Sequence, residues 1–504
     1  MTSTVDIGGR PFHFIGIGGI GMSALAFVLA KQGISVSGSD LRSTPITQRL
    51  AAAGVRIFDA QQAGNLDHFM AADESARRES ALATVAGGNG SLEWEPSRRL
   101  AAGDRPLLPQ VICSTAIRPD NPEYQAARQR GCPIFHRSEL LAALMQYYDS
   151  IAVAGTHGKT TTSSLIGYIL VMAGIDPTVV VGGEIAALGG NARLGASRYL
   201  VAEADESDGS LATLAASLGI ITNIELDHPD HYRSLSEVVH IFKRFTAQCQ
   251  ATIGCLDCET VRQYLQPDIT YSLDPQRGAD YTVRNPVYQA LGTVAEVWER
   301  GSYLGTLRLR LLGKHNLANA LAAIAVSRQL GLTWEAIAPA LASFEGACRR
   351  FEHRGTANGI TFIDDYAHHP SEIAVTLAAG RLQVAAAEFP ARRLVAIFQP
   401  HRYSRTQVFL EEFAACFAVA DVVVVSDIYS AGEPNPHQLS GRQLAEAIAA
   451  RQSQVFYQPD LSMMASFLKE EILQPNDLAI FLGAGNLNQV INPLLDLYGC
   501  SVAT

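Results

Sequence analysis

IAVAGTHGKTTTSSLIGYILVMAG, residues 151–174, reads as a strand, a glycine-bearing turn and an apolar-periodic helix in succession. The apolar run from Ile151 gives way at Gly155, and the helix opens on Gly158-Lys159-Thr160 and should end near Gly174. In such a turn, backbone amides and the Lys159 ammonium can hold the phosphates of ATP while the Thr160 hydroxyl meets Mg²⁺. The strict GxxxxGK[ST] pattern fails, because Val153 stands where its first glycine belongs. The loop is therefore a shortened phosphate loop, with a purely structural turn as the alternative.

Upstream, a second strand-turn-helix unit surrounds GIGGIGM: apolar residues 12–15, a periodic stretch from Ser23 to Lys31, Gly33 as a stop and a further strand at residues 34–37. Gly16, Gly18 and Gly21 fit GxGxxG, and Asp40 follows the next strand where an acid can meet a ribose. Alone, this predicts a dinucleotide dehydrogenase. Glycines at a helix start admit any diphosphate, however, whether of NAD or of a UDP-sugar, and a turn without ligand is the third reading. Residues 70–109 turn charged and aperiodic, which predicts a long, poorly ordered loop before strand 111–113.

Downstream, strands are expected at 199–202 and 219–222, an Ala-rich helix at 317–330, and a linker at the RRFEHRG segment. Strands at 361–363, 394–398, 422–425 and 478–481, separated by helical lengths, then make another α/β unit. A chain of 504 residues exceeds one ordinary core, and division by about 150 residues per domain gives three.

With 48% apolar and 17% charged residues the composition is that of a globular protein. A net charge of -10 argues against a nucleic-acid surface, which needs clustered Lys and Arg. No basic-then-apolar leader and no run of about 18 apolar residues occurs, so no membrane insertion and a cytoplasmic location are expected. Of eight cysteines, the one closely spaced pair, Cys255 and Cys258, lacks a second CxxC, and reduced thiols at a strand end are its preferred reading.

Further motifs sit where strands end. AEADESDGS supplies Glu203, Asp205, Glu206 and Asp208, a cluster suited to Mg²⁺ or simply an acidic surface turn. TNIELDHPDHY carries His228 and His231, candidate metal ligands or ordinary loop residues. GKHNLANA places Asn316 and Asn319 on one helix face, able to meet a base edge, although Asn316 could be only an N-cap. DDYAHHP holds Tyr366, His368 and His369, and FQPHRYSRT holds His401, Arg402 and Arg405. Histidines there offer proton transfer and arginines bind carboxylate or phosphate.

GIGGIGMS, GTHGKTTT, AEADESD, TNIELDH, GKHNLANA, DDYAHHP and FQPHRYSRT stand in this order, and together they make the chain resemble the Mur ligase family over almost its whole length. The resemblance implies three α/β domains: an N-terminal Rossmann-like domain at 1–148 binding a UDP-sugar, a central P-loop ATP-binding domain with mostly parallel sheet at 149–346, and a C-terminal Rossmann-like domain at 347–504 binding an amino acid. It implies an ATP- and Mg²⁺-dependent ligase joining L-alanine to the lactyl carboxylate of UDP-N-acetylmuramate through an acyl phosphate, in peptidoglycan precursor synthesis. Gly18, Gly19, Gly21, Asp40, Ser114 and Thr115 would then contact the nucleotide-sugar. Gly155, Thr156, His157, Gly158, Lys159, Thr160 and Thr161 would hold ATP phosphates, with Asn316 and Asn319 at the adenine. Thr160, Glu203 and His228 would bind the metal. Tyr366, His368, Arg402 and Arg405 would surround L-alanine and the reacting carboxylate, with His368 accepting or routing the amine proton.

The resemblance also implies a monomer or weak homodimer whose domains close about linkers near Ser150 and Ala347. The sequence departs from the family at Gln61, where a uridine-side His is usual, at Asn486 in GAGNL, and in the long 70–109 insertion. Some members carry a carbamylated lysine near the metals, and Lys243 lies at a comparable distance after His228, but the alanine-adding branch that the chain most resembles generally lacks this feature. A recycling ligase that adds a whole tripeptide is the alternative within the family. An NAD-dependent oxidoreductase leaves GTHGKTTT without purpose, and a non-catalytic nucleotide-binding regulator should have lost a residue that is retained.

Overall fold

The structure, a computed structural model, describes residues 4–69, 108–387, 389–435 and 438–499. The long loop expected at 70–109 falls outside these except for Leu108 and Pro109. Three sheets follow one another along the chain, each with helices against it, giving a three-domain α/β architecture of mostly parallel sheets.

The first sheet runs β3-β2-β1-β4-β5, all parallel, from β1 (Phe12–Ile15), β2 (Val36–Ser39), β3 (Arg56–Phe58), β4 (Gln110–Cys113) and β5 (Ile134–His136). β1 is buried along its length, as a central strand covered on both faces must be. Its carboxyl end lies where the strand order reverses, the position at which open α/β sheets form a ligand crevice. Helix α1 (Ile20–Lys31) begins three residues before the expected Ser23 because Gly19 takes the extended N-cap conformation. The second strand lies two residues later than expected, since the Ile34 amide is still bonded to the Leu29 carbonyl in the helix-ending turn.

The second sheet has ten strands, β15-β14-β13-β12-β11-β10-β6-β9-β7-β8. Its parallel body comprises β6 (Asp149–Ala154), β7 (Thr178–Ile185), β9 (Tyr199–Glu203), β10 (Leu218–Ile221), β11 (Ala251–Cys255), β12 (Ile269–Ser272) and β13 (Tyr281–Gln289). Antiparallel strands extend both edges: β8 (Gly190–Arg193) on one, β14 (Gly292–Glu299) and β15 (Ser302–Leu309) on the other. Helices α2 (Lys159–Met172) and α3 (Lys314–Gln329) pack together on this sheet. Most of α3 is buried, from Leu317 through Val326 except Ala318, and its alanines permit that close approach. Gly313 is the cap of α3, so Asn316 lies inside the first turn and is not the N-cap. Ser150 is buried near the start of β6.

The third sheet runs β16-β17-β21-β18-β19-β20, with β16 (Glu352–Ala357) antiparallel at its edge. The rest are parallel: β17 (Ile360–Asp365), β18 (Arg393–Phe398), β19 (Val422–Val425), β20 (Val455–Tyr457) and β21 (Asp477–Leu482). Residues read as a linker from RRFEHRG thus partly belong to β16, whose EHRGTA lacks an apolar run because it is an edge. Helix α4 (Pro370–Ala385) follows β17 and faces the central domain. Among the described residues, no helix is long and apolar enough to cross a membrane. Cys255 and Cys258 are free, and burial pushes the Cys255 thiol up to about 11, as for an inert core thiol.

Candidate active site

The loop between β6 and α2 is shaped by two glycines. Gly155 has φ +145°, and a Cβ there would meet the Thr222 hydroxyl at 1.8 Å. Gly158 caps α2 with φ +83°, and a Cβ there would meet Asn319 Oδ1 at 2.5 Å. Asn319 in turn donates to Asn316 Oδ1 (3.2 Å), and Asn316 Nδ2 donates to the Leu312 carbonyl (2.8 Å). The phosphate loop and the amide pair of α3 are therefore in contact, as a site spanning phosphate and base requires.

Two cavities flank the loop. One, of about 530 Å³, is lined by His157, Gly158, Thr161, Asn316 and Asn319, with Arg350 and Glu372 from beyond the central sheet. The other, of about 790 Å³, collects side chains from all three domains. Gly19, Gly21 and Ser114 come from the first; Thr156, Lys159, Thr160, Glu203 and His228 from the second; Tyr366, His368, Arg402 and Arg405 from the third. Gly18, Asp40 and Thr115 do not line it. Asp40 accepts the Gly18 N–H (2.9 Å) and the Arg42 N–H (3.1 Å), bracing the glycine turn, and Thr115 is exposed. Gly155 contributes its carbonyl to Lys159 Nζ (2.6 Å).

Lys159 Nζ also donates to Glu206 Oε2 (2.8 Å). Burial works against the ammonium, but Glu206, Asp205 and Glu203 outweigh it and hold its pKa above the ordinary value. Burial in turn raises Glu206 to about 7, with Lys159 opposing. The carboxylate cluster of AEADESDGS is consequently divided: Glu206 serves Lys159, while Asp205 and Asp208 pair with Arg137 of the first domain (2.6 and 3.5 Å). Only Glu203 faces Thr160, whose hydroxyl donates to it at 2.9 Å. Two oxygen donors side by side suit Mg²⁺. His228, with φ +56°, is held below its ordinary pKa by burial and by Arg405 and Lys159 against Asp227, and a neutral imidazole can act as a ligand. All three line the larger cavity. His231 is exposed with its ring edge on Tyr232, and Lys243 lies over Tyr264 in a separate hollow.

In the third domain, Arg405 is 1% exposed and grips Asp227 through Nε (2.9 Å) and Nη2 (2.8 Å). Burial disfavours the Asp227 charge, but Arg405 and the nearby histidines outweigh it and hold the carboxyl far below its usual range. Arg402 reaches Asp230 (2.8 Å) and Glu433 (3.0 Å). Both arginines thus also join the third domain to the TNIELDHPDHY loop. His368 donates from Nδ1 to the Tyr366 carbonyl (3.0 Å), which leaves the Nε2 lone pair free. Burial, assisted by Arg405 and His401, lowers its pKa to about 3. Tyr366 lies beneath Arg349 and Arg350, and His401 stacks on Tyr429.

Several participants escaped the sequence reading. Arg350, Glu225, Glu372 and His315 line the smaller cavity, and Arg137 the larger. His157 sits between Glu372 (3.2 Å) and Glu225 (3.4 Å); burial opposes its charge, but the two carboxylates raise it to about 10. Among the described residues, His157, Glu225 and His369 form the one His/Cys/Asp/Glu trio whose ligand atoms lie within 4.8 Å of one another. Glu225 and Asp227 stood inside a quoted motif, but Ser371 and Arg405, which they meet, come from another domain. Of the departures from the family pattern, Gln61 accepts from Asn121 Nδ2 (2.6 Å) and Asn486 from Gln399 Nε2 (3.0 Å).

Comparison with known proteins matches the chain to three family models in sequence: the Mur ligase family catalytic domain at residues 11–149, the middle domain at 153–327 and the glutamate ligase domain at 349–485. A UDP-N-acetylmuramate–L-alanine ligase of Nostoc punctiforme is 60% identical, with 99% of this chain and 98% of the relative aligned. The protein of the same name from Gloeothece citriformis is 58% identical, over 98% and 99%. Among solved structures, the UDP-N-acetylmuramate–alanine ligase of Thermotoga maritima superposes with a TM-score of 0.76 at 27% identity, covering 97% of this chain and 99% of that one. A murein peptide ligase of Psychrobacter arcticus shares the fold at TM-score 0.66 and 22% identity, covering 98% and 100%. With all three domain models matched in order over the sheets described, the chain belongs to the Mur ligase family.

Proposed function

We propose that this chain is an ATP-dependent ligase that joins L-alanine to the lactyl carboxylate of UDP-N-acetylmuramate, in domains 1–148, 149–346 and 347–504. The observation that carries the reading is the phosphate loop standing as the common wall of two cavities. One presents an amide pair suited to a base; the other gathers the glycine turn of the first domain and the arginines and His368 of the third. The relatives' shared name supports the choice of L-alanine over a tripeptide.

In this reading a lactyl carboxylate oxygen attacks the γ-phosphorus of ATP, ADP departs, and an acyl phosphate forms. Lys159 and the loop amides stabilise the charge gathering on the transferring group. Thr160, Glu203 and His228 would hold Mg²⁺, which supplies further neutralisation of the phosphate oxygens. The amine of L-alanine then attacks the acyl carbon, and the intermediate collapses to amide and phosphate. His368, neutral and with Nε2 free, accepts a hydrogen bond from that amine; its low pKa makes it a relay that passes the proton on. The ATP requirement and free thiols suit a reducing cytoplasm.

The test is phosphate release from ATP by purified protein with Mg²⁺ and UDP-N-acetylmuramate. Stimulation by L-alanine alone is expected. Stimulation only by a cell-wall tripeptide would replace the amino-acid assignment, and none by either would overturn the reading.

A further inference from the structure

One carboxylate borders both cavities and touches both sides of the domain junction. Glu372 stands in the first turn of α4, and its side chain lines the smaller and the larger cavity alike. Its oxygens divide the work. Oε1 accepts from Nδ1 of His157, inside the phosphate loop, at 3.2 Å. Oε2 accepts the backbone N–H of His368 (3.1 Å) and of His369 (3.4 Å), and lies 3.3 Å from His368 Nδ1. The side chain is 13% exposed, and burial, which disfavours its charge, is outweighed by the charged His157 and by Arg350 so that it stays ionised.

The ordinary reading of this residue is a capping-box glutamate, three positions after the N-cap His369. That role needs only the oxygen turned toward the backbone. The second oxygen, spent on a loop 215 positions away in the chain, is not explained by capping. At its other edge His157 Nε2 lies 3.4 Å from Glu225 Oε2, and Glu225 itself accepts from Ser371 in the same turn of α4 (2.8 Å). The phosphate loop is therefore clasped to the start of α4, and His368 leaves that start toward the larger cavity.

We propose that Glu372 is a positioning residue of the ligation reaction: it sets the register between the phosphate loop and His368, so that phosphoryl donor and acceptor-side groups meet in one geometry. The assignment rests on the proposed function. Misplacing reacting groups by about 1 Å lowers rates by up to roughly 10²-fold, so register is a property that kinetics can read.

The experiment is a double-mutant cycle in steady-state kinetics on the full chain, using Glu372→Gln, His157→Gln and the pair. Glutamine at this position keeps the cap, because its amide oxygen still accepts the backbone N–H groups, but it removes the charge that His157 engages. The expected result is a kcat for L-alanine-dependent phosphate release lowered by about 10- to 100-fold in Glu372→Gln, with the KM for UDP-N-acetylmuramate and the melting temperature nearly unchanged. The double variant should be no slower than the slower single one. An unchanged kcat in Glu372→Gln, a loss matched by a fall in melting temperature, or effects that multiply in the double variant would each overturn the assignment. A parent chain without alanine-stimulated release would overturn the functional reading and this assignment with it, a result obtained before any variant is compared.

Discussion

Lys159 and Glu206 form a buried pair whose members have unequal purposes. The ammonium faces the cavity where phosphate charge must be stabilised, and the carboxylate keeps that ammonium charged and aimed. Lys159→Met is expected to lower alanine-stimulated phosphate release by at least about 10²-fold, the range for removal of one transition-state charge partner. It should also destabilise by about 3 kcal/mol, because Glu206 is left buried without its partner. Lys159 opposes the rise that burial gives Glu206, to about 7 in the parent, so without it the carboxyl should take up a proton above neutral pH and the destabilisation should shrink as pH falls from alkaline to neutral, which melting at two pH values would reveal. His157 allows a second pH argument. Its folded pKa of about 10 exceeds the ordinary value of about 6.5, so its stabilisation is full below about 6.5 and is lost as pH rises through 10. Glu225, held at about 2 mainly by that histidine, contributes above its ordinary value of about 4.3 and loses its contribution as pH falls through 2. His157→Gln should therefore cost most between about pH 4.5 and 6.5 and almost nothing at pH 10 or above. About 1 kcal/mol is a reasonable size, since Glu225 is 42% exposed and its pair is screened.

At the scale of elements, the α2 N-terminus depends on a left-handed Gly158 in contact with Asn319 of α3. Gly158→Ala should cost roughly 1–2 kcal/mol of backbone strain and, by pushing the amide pair away, weaken binding of a non-hydrolysable ATP analogue measured by calorimetry. Asn319→Ala removes the clash and should recover part of the stability in the double variant without recovering affinity. The elements that sequence periodicity identified were those buried on both faces: β1, β6, β18, β19 and β21 are short, mainly apolar runs. The meander β13-β14-β15 and the edge β16 were not legible. Their residues alternate between a covered and a wet face, as in YTVRNPVYQ, and the hydrogen-bond partner that makes them strands is set by pairing register.

Across the whole molecule, an apolar cluster runs from Leu25 and Leu29 of the first domain to Val180 and Ala192 of the second, and ion pairs add further links between domains. Arg405 and Asp227 form the most buried of these, and Arg49 of the first domain reaches Glu184 of the second at 2.9 Å. Arg405→Ala should cost about 3–5 kcal/mol through the stranded Asp227, visible as earlier thermal unfolding. Arg405→Met with Asp227→Leu should regain most of that stability yet remain inactive in phosphate release, separating attachment of the domains from chemistry. Arg49→Ala, by contrast, should change stability by no more than about 1 kcal/mol, because both partners are partly exposed.

By itself, the sequence determined the fold class, the order of the domains, the phosphate loop and the roll of candidate residues, because glycine turns and charged or amide residues at strand ends are local features written in consecutive positions. Lys159, Thr160, Glu203, His228, Tyr366, His368, Arg402 and Arg405 were all readable in this way and all line one cavity. Which partner each carboxylate and imidazole meets was decided by tertiary structure. Glu206 and Asp205, neighbours in one motif, turn to Lys159 and Arg137 in different domains. Asp40, placed by spacing at a ribose, accepts the Gly18 N–H, and Glu372, inconspicuous in the sequence, joins two domains. The physical reason is that charge seeks the nearest compensating partner in space. Here that partner is often more than a hundred positions away along the chain, where no local pattern can record it.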